Sequence, residues 1–375
     1  MIFVARTDPS PRLCVHLFGD HQGESIVLEM PDGQWGVLDC FSPTSNPEFN
    51  PIAGFLRSNA VKRLEFVCMT HPHRDHYRGM SRLLTEFEVA EFWRPSVLFG
   101  QELSRIIDLA TERALRDPTN EAEADALELV EIFTRISQMR IPRSGALPIR
   151  PAVANTPLLL VKPHFKITAL SPSGRQIDKY HTKLRGSFDH NGKVKNQLPA
   201  MMHNLISLAV LVEFGNARLL FGADLEKEGW MDVLGDSLSP LNDGKPTHFV
   251  KVSHHGSDNG YCDRLWENLA AKVPPIAALT AFCSNKLPKR SAIDHICTFA
   301  AGHRIATPNL SAAEAAASVV HSRAPSGSNL SRETLNKKTG AKPASVGPMG
   351  RCSFEFAADG KCIARNFSSD AGWLS

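Results

Sequence analysis

An α/β fold is predicted by three features of the sequence. The first hundred residues read as short apolar runs broken by turn residues, residues 102–139 carry helical periodicity, and two apolar runs, RLEFVCMT and THFVKVS, stop abruptly at histidine-rich text. The chain has 375 residues, 42% of them hydrophobic and 22% charged, which is ample for a large core. A net charge of +3 neither argues for nucleic acid as a partner nor excludes it.

The elements follow in order. CVHLFG alternates as a strand. ESIVLEM and QWGVLDC are strands joined through Pro31-Asp32-Gly33, which is strong turn chemistry. IAGFLRSN is a short helix. RLEFVCMT is a buried strand, YRGMSRLLTEF a helix and VAEFWRP a further strand. From Glu102 to Met139 the Glu-, Arg- and Ala-rich text forms a helical insertion, spanning about residues 100–142, which Pro118 divides in two. PLLLV and FKITALSP resume the strands. Residues 173–200 are polar and rich in Lys, Arg and His, and they read as a long loop. ISLAVLVEFGNARLLFGADL is a hairpin turned at Gly215-Asn216, and THFVKVS and PPIAALTAF are strands. Residues 322–350 have the composition of a flexible segment, and residues 351–375 form a hairpin turned at Asp359-Gly360 that packs on the domain formed by residues 1–321.

The N-terminus has no apolar run of signal-peptide length, and no stretch approaches the ~20 apolar residues of a membrane span, so a soluble cytoplasmic protein with no membrane partner is expected. The eight cysteines form no CxxC pair and read as buried free thiols.

The chemistry concentrates in THPHRDH, residues 70–76. His71 and His73 alternate directly after a buried strand, and Asp75 and His76 follow. Neutral imidazoles and a carboxylate are the donors that Zn²⁺, Mn²⁺ or Fe prefer. Four donors in six residues exceed what one tetrahedral site takes from one loop. The spacing therefore suggests two ions, with His71 and His73 on one and Asp75 and His76 on the other. Asp39, at the end of GVLDC, suits a carboxylate that orients a ligating histidine.

H-x-H-x-D-H after a buried strand resembles the signature of the metallo-β-lactamase fold superfamily. That resemblance implies an αββα sandwich whose strand-end loops hold one or two metals. It also implies a distal aspartate that bridges them, here Asp224 in LLFGADL, and a late histidine at a strand end, here His254 or His255 in VSHHGS. A strand stopping at Ser253 selects His254, and a slip of one residue selects His255. Together with GESI, VLDC and Asn204-x-x-Ser207, VSHHGS looks like the branch that includes the hydrolase domain of ComEC-type DNA-uptake proteins and its stand-alone relatives. The resemblance runs from residue 12 to about 310 with gaps, and the channel's membrane segments have no counterpart. Many members of the superfamily supply a third histidine to the first metal, where this branch usually has asparagine. In MMHNLIS either His203 or Asn204 fills that place.

The expected protein is therefore a hydrolase with two divalent ions, zinc or manganese, acting through a metal-bridging hydroxide, with Asp75, His254 and His255 as catalytic residues. Phosphodiesterase or nuclease chemistry is the first expectation. The cations of the 173–200 segment (Arg175, Lys179, His181, Lys183, Arg185, His190, Lys193 and Lys195) would suit phosphates. Carboxylic-ester, lactone or amide hydrolysis is the alternative, and a non-catalytic metal-bound component of a multi-protein defence or signalling system the second.

Overall fold

The structure, a computed structural model, describes residues 10–43, 50–97, 121–139, 149–161, 164–186, 189, 200–318, 349–368 and 370–375. The first half of the helical insertion, including Pro118, lies outside the described residues. So do residues 190–199 of the polar stretch and nearly all of the segment 322–350.

Two eight-stranded sheets form the centre. The first has the order β15-β14-β1-β2-β3-β4-β5-β6. Its strands are β1 (Leu13–Gly19), β2 (Glu24–Glu29), β3 (Trp35–Leu38), β4 (Arg63–Cys68), β5 (Glu88–Pro95), β6 (Ile149–Ala152), β14 (Gly350–Phe356) and β15 (Cys362–Phe367). The second has the order β16-β13-β12-β11-β10-β9-β8-β7. Its strands are β7 (Pro157–Val161), β8 (Phe165–Ala169), β9 (Val210–Phe214), β10 (Ala217–Phe221), β11 (Phe249–Lys251), β12 (Ile276–Ala278), β13 (Ile305–Thr307) and β16 (Gly372–Leu374). Each sheet is built on one plan: an antiparallel meander (β1 to β3, β7 to β10) continued by three parallel strands.

The turn between β2 and β3 follows from its residues. Gly33 sits at φ 82° and its N–H donates to the Met30 carbonyl, a conformation that costs a residue without a side chain nothing. The inner faces of both sheets share one core. In it Phe66 and Trp93 stack at 3.8 Å between centroids, and Phe249 of β11 meets Phe354 of β14 at 5.1 Å across the layers. Burying each such side chain contributes roughly 1.5–3 kcal/mol.

Helices cover both outer faces. Against the first sheet lie α1 (Pro51–Ser58), α3 (Met80–Glu86), α4 (Glu121–Ser137) and α5 (Gly174–Gly186), through Leu56, Leu83, Ile132, Ile136, Tyr180 and Leu184. The one-turn helix α2 (Arg74–Tyr77) carries the end of the histidine motif. Against the second sheet lie α6 (Lys227–Gly235), α7 (Asp263–Ala270), α8 (Arg290–Phe299) and α9 (Leu310–Ala317), through Trp230, Trp266, Ile293 and Ala313. The result is the four-layer αββα sandwich. Helix α1 starts where its sequence says it should: the Asn50 side chain accepts from the N–H groups of Ile52 and Ala53, and Pro51 opens the first turn.

One expectation needs revision and another is extended. The stretch 173–200 is not one long loop, because residues 174–186 form helix α5. Gln176, Tyr180 and Leu184 recur at four-residue spacing and are buried, a stripe hidden by the many cations between them. Two of those cations are already engaged with α6, Arg175 with Asp232 and Lys179 with Glu228. The C-terminal residues are also more than a packed hairpin. β14 and β15 extend the first sheet beside β1, and β16 pairs with β13 of the second. No helix among the described residues is long and apolar enough to cross a membrane.

Candidate metal centre

The site lies where strands of both sheets end at the same rim. β4 of the first sheet runs into Thr70–His73 and then α2, which places Asp75 and His76 on one helical turn. In the second sheet, β10 leads to Ala223 (φ 43°) and Asp224, and β11 leads to a tight turn over Ser253–Gly256. There His254, His255 and Gly256 take φ values of 49°, 51° and 74° in succession. Left-handed backbone at a residue with a side chain costs about 1–2 kcal/mol, and such outliers gather at functional sites. The entry to β2 also passes close by. A Cβ on Gly23 would lie 2.7 Å from the Asp75 carbonyl oxygen and 2.3 Å from the Phe41 ring.

Among the described residues, two groups of donors converge on Asp224, and a third, of Glu24, Asp39 and His76, meets the other side of the His76 ring at Nδ1. His71, His73 and Asp224 form one, and Asp75, His76, Asp224 and His255 the other, each with its donor atoms within 4.8 Å of one another. In the first, His71 Nε2 is 3.0 Å from His73 Nδ1 and 3.8 Å from Asp224 Oδ2. In the second, Asp224 Oδ1 lies 3.3 Å from His76 Nε2 and 3.8 Å from His255 Nε2, while Asp75 Oδ2 lies 3.5 Å and 3.1 Å from the same two nitrogens. Asp224 thus turns one oxygen to each group.

The surrounding hydrogen bonds orient the imidazoles. Asp39 accepts from the Thr70 N–H at 2.8 Å, the Thr70 hydroxyl at 2.7 Å and His76 Nδ1 at 2.7 Å. His76 therefore keeps its proton on Nδ1 when neutral and turns Nε2 to the site. Because the single Thr70 hydroxyl hydrogen goes to Asp39, Thr70 Oγ1 accepts from His71 Nδ1 at 3.0 Å, and His71 Nε2 likewise faces inward. His255 Nδ1 meets Thr280 Oγ1 at 2.9 Å and the Thr280 carbonyl at 3.2 Å. Asp39 thus fixes the orientation of the His76 ring.

This donor set fits a divalent cation. His76 Nε2 and Asp224 Oδ1 are buried with no hydrogen-bond partner of their own, an expensive arrangement that a cation between them resolves. The charges agree. Burial alone would raise the Asp75 and Asp224 carboxyls, but the adjoining histidines outweigh it and hold both well below the usual carboxylate range. Burial opposes protonation of His76, yet Asp224, Asp75 and Asp39 push its pKa well above the ordinary imidazole value. A cation bound there displaces that proton.

The remaining expected residues lie around these groups. Among the described residues, His254 and His203 belong to neither group. His254 Nε2 is 3.7 Å from Asp224 Oδ2 and 3.4 Å from Asn204 Nδ2, and its side chain keeps 14% of its surface exposed at the rim. The His203 ring stands 5.3 Å from that of His73, and its Nδ1 is 3.5 Å from the Tyr180 hydroxyl of α5. Burial, reinforced by His73, pulls the His203 pKa down to about 3. Asn204 donates to Glu226 at 3.1 Å, and its Oδ1 is buried without a hydrogen-bond partner. Sequence reasoning gave no role to Lys251 or Thr280. A lysine inside the buried run THFVKVS was the available signal.

No protein-family model matches the chain, and no curated protein matches it. Among solved structures, the chain is similar to a mutant of the β-hydroxylase CmlA, at 14% identity and a TM-score of 0.34 over 66% of this chain and 36% of that one. It is also similar to a HARLDQ-motif mutant of a metallo-β-lactamase from Cronobacter sakazakii (Enterobacter sakazakii), at 13% identity and a TM-score of 0.29 over 57% of this chain and 63% of that one. The match spans less than two thirds of either chain's length, and likenesses this slight assign no role to any residue here. The architecture and the donor cluster together define the class: an αββα sandwich with a cluster of histidine and carboxylate donors, suited to a divalent cation, at its strand ends.

Proposed function

We propose that the chain is a binuclear metal-dependent hydrolase whose first substrate class is phosphodiesters, nucleic acids among them. The observation that carries this reading is Asp224, one carboxylate with an oxygen turned to each of two donor groups. His71 and His73 would hold one ion, Asp75, His76 and His255 the other, and Asp224 would serve both; histidine and carboxylate donors suit Zn²⁺ and Mn²⁺ alike. When bound, such a pair of ions supplies hydroxide near neutral pH and stabilises charge on the attacked group. Asp75 would orient the attacking water as well as bind. Asp39 and Thr280 keep the histidine lone pairs aimed inward, and His254, at the rim beside Asp224, would meet the substrate. Two cations side by side suit in-line displacement at phosphorus, where attacking and leaving oxygens both need charge compensation.

One observation favours carboxylic-ester, lactone or amide hydrolysis as a second reading. Arg175 and Lys179, expected to attract phosphates, are paired with Asp232 and Glu228 instead. The test is metal content of the purified protein, then turnover of bis-p-nitrophenyl phosphate, DNA, RNA and p-nitrophenyl acetate. Phosphodiester turnover is expected. Ester turnover alone would replace the first reading with the second, and two bound metals without turnover would favour a non-catalytic component.

A further inference from the structure

Beneath the donor cluster, between the sheets, lies a buried ion pair that hydrolysis does not itself require. Lys251 ends β11 in the second sheet and Glu24 opens β2 in the first, and neither has any accessible surface. The Lys251 ammonium donates to the Glu24 carboxylate. Alternation puts Lys251 on the same face as Phe249, which is in the core shared by the two sheets. The lysine side chain therefore crosses from one sheet to the other.

Glu24 then reaches both halves of the second donor group. Its Oε2 accepts from Thr280 Oγ1 at 2.6 Å and lies 3.5 Å from His255 Nδ1. Its Oε1 lies 3.8 Å from His76 Nδ1. Since the Thr280 hydroxyl gives its single hydrogen to Glu24, Thr280 Oγ1 can only accept from His255 Nδ1. That keeps His255 Nε2 turned to Asp75. Stability alone is a poor reason for such a pair, because taking two charges out of water cancels most of their attraction, and a well-packed apolar pair often does as well.

We infer that the Glu24–Lys251 pair is a cross-sheet latch. It sets the separation between His76, carried by the first sheet, and His255, carried by the second, and through Thr280 it sets which nitrogen His255 presents. Glu24, Lys251 and Thr280 are thus positioning residues for the second donor group, and the inference rests on reading that group as a metal site.

The experiment is zinc titration by calorimetry on the full chain stripped with chelator, with thermal melting of the same samples. The wild type is expected to take up two equivalents. Glu24→Gln should weaken the second equivalent by about 10–100-fold and leave the first unchanged. The double variant Glu24→Leu/Lys251→Met should melt, metal-free, no lower than the wild type and still lose affinity for the second equivalent. A purely structural pair would do the reverse, lowering the melting temperature and leaving both affinities alone. A folded double variant that binds both equivalents as tightly as the wild type overturns the latch. Should these variants not fold, Thr280→Val should weaken the second equivalent by about tenfold and Thr280→Ser restore it; unchanged affinity in Thr280→Val overturns the inference equally. A wild type that binds no zinc overturns it together with the metal-site reading. A wild type that binds two equivalents but hydrolyses nothing removes only the hydrolase.

Discussion

His255 Nε2 stands 3.1 Å from Asp75 Oδ2, so the strand end of the second sheet closes directly onto the histidine motif of the first. Its neighbour His254 looks instead toward Asn204 and the rim. The adjacent histidines should therefore separate experimentally. His255→Ala is expected to retain one equivalent of metal after dialysis, and His254→Ala two, by elemental analysis. The opposite pattern would make His254 the ligand.

Asp224 belongs to both donor groups. Asp224→Asn should lower phosphodiester turnover on the order of 10³-fold, since several kcal/mol of transition-state stabilisation depend on the ions it would help hold. Asp75→Ala and His73→Ala should be comparably inactive. Far-UV circular dichroism should be unchanged in all three, because these side chains sit at strand and helix ends. Full activity in any of them would remove that residue from the mechanism.

The half-buried imidazole of His203, with its lowered pKa, gives stability a pH dependence whose sign can be worked out. In the fold it stays neutral down to about pH 3, whereas in the unfolded chain it takes up a proton near pH 6.5, as free histidine does. Between those values the unfolded state binds the extra proton, so stability declines as pH falls through the window, by at most ~1.4 kcal/mol per unit. Urea unfolding at pH 7 and pH 4.5 should show a smaller loss for His203→Gln than for the wild type. Equal losses would mean that His203 titrates normally in the fold.

A carboxylate of the helical insertion reaches the segment that follows the motif. Glu128 of α4 accepts from the N–H groups of Gly79 and Ser81, both at 3.0 Å, and from the Ser81 hydroxyl at 2.9 Å. It thereby caps α3 just after His76. Glu128→Ala leaves those donors without their carboxylate and should cost about 1–3 kcal/mol. A urea midpoint equal to that of the wild type would show that water replaces Glu128 at no loss.

The parts of this site written close together in sequence were legible there. His71, His73, Asp75 and His76 lie within six positions after an obvious strand, and Asp224 follows an equally clear hairpin. What sequence could not decide depends on geometry between distant segments. The choice between His254 and His255 turns on three consecutive left-handed residues, which no alternation pattern reveals. Glu24 and Lys251 are 227 positions apart, and each alone reads as an odd charge in an apolar run. Helix α5 was hidden because its buried stripe of Gln176, Tyr180 and Leu184 is short and lies among cations.

The two sheets each contribute part of the donor cluster, and this has a consequence for the order of events as the chain folds. His76 and Asp224 are nearly 150 positions apart, so no local segment of the unfolded chain contains either complete donor set. A complete donor set exists only after the two halves have docked. Unlike a zinc finger, whose short loop gathers its ion and folds around it, this protein should refold at the same rate with or without zinc. The ion should instead slow unfolding, because its contacts are made after the rate-limiting barrier and must be broken before it is recrossed.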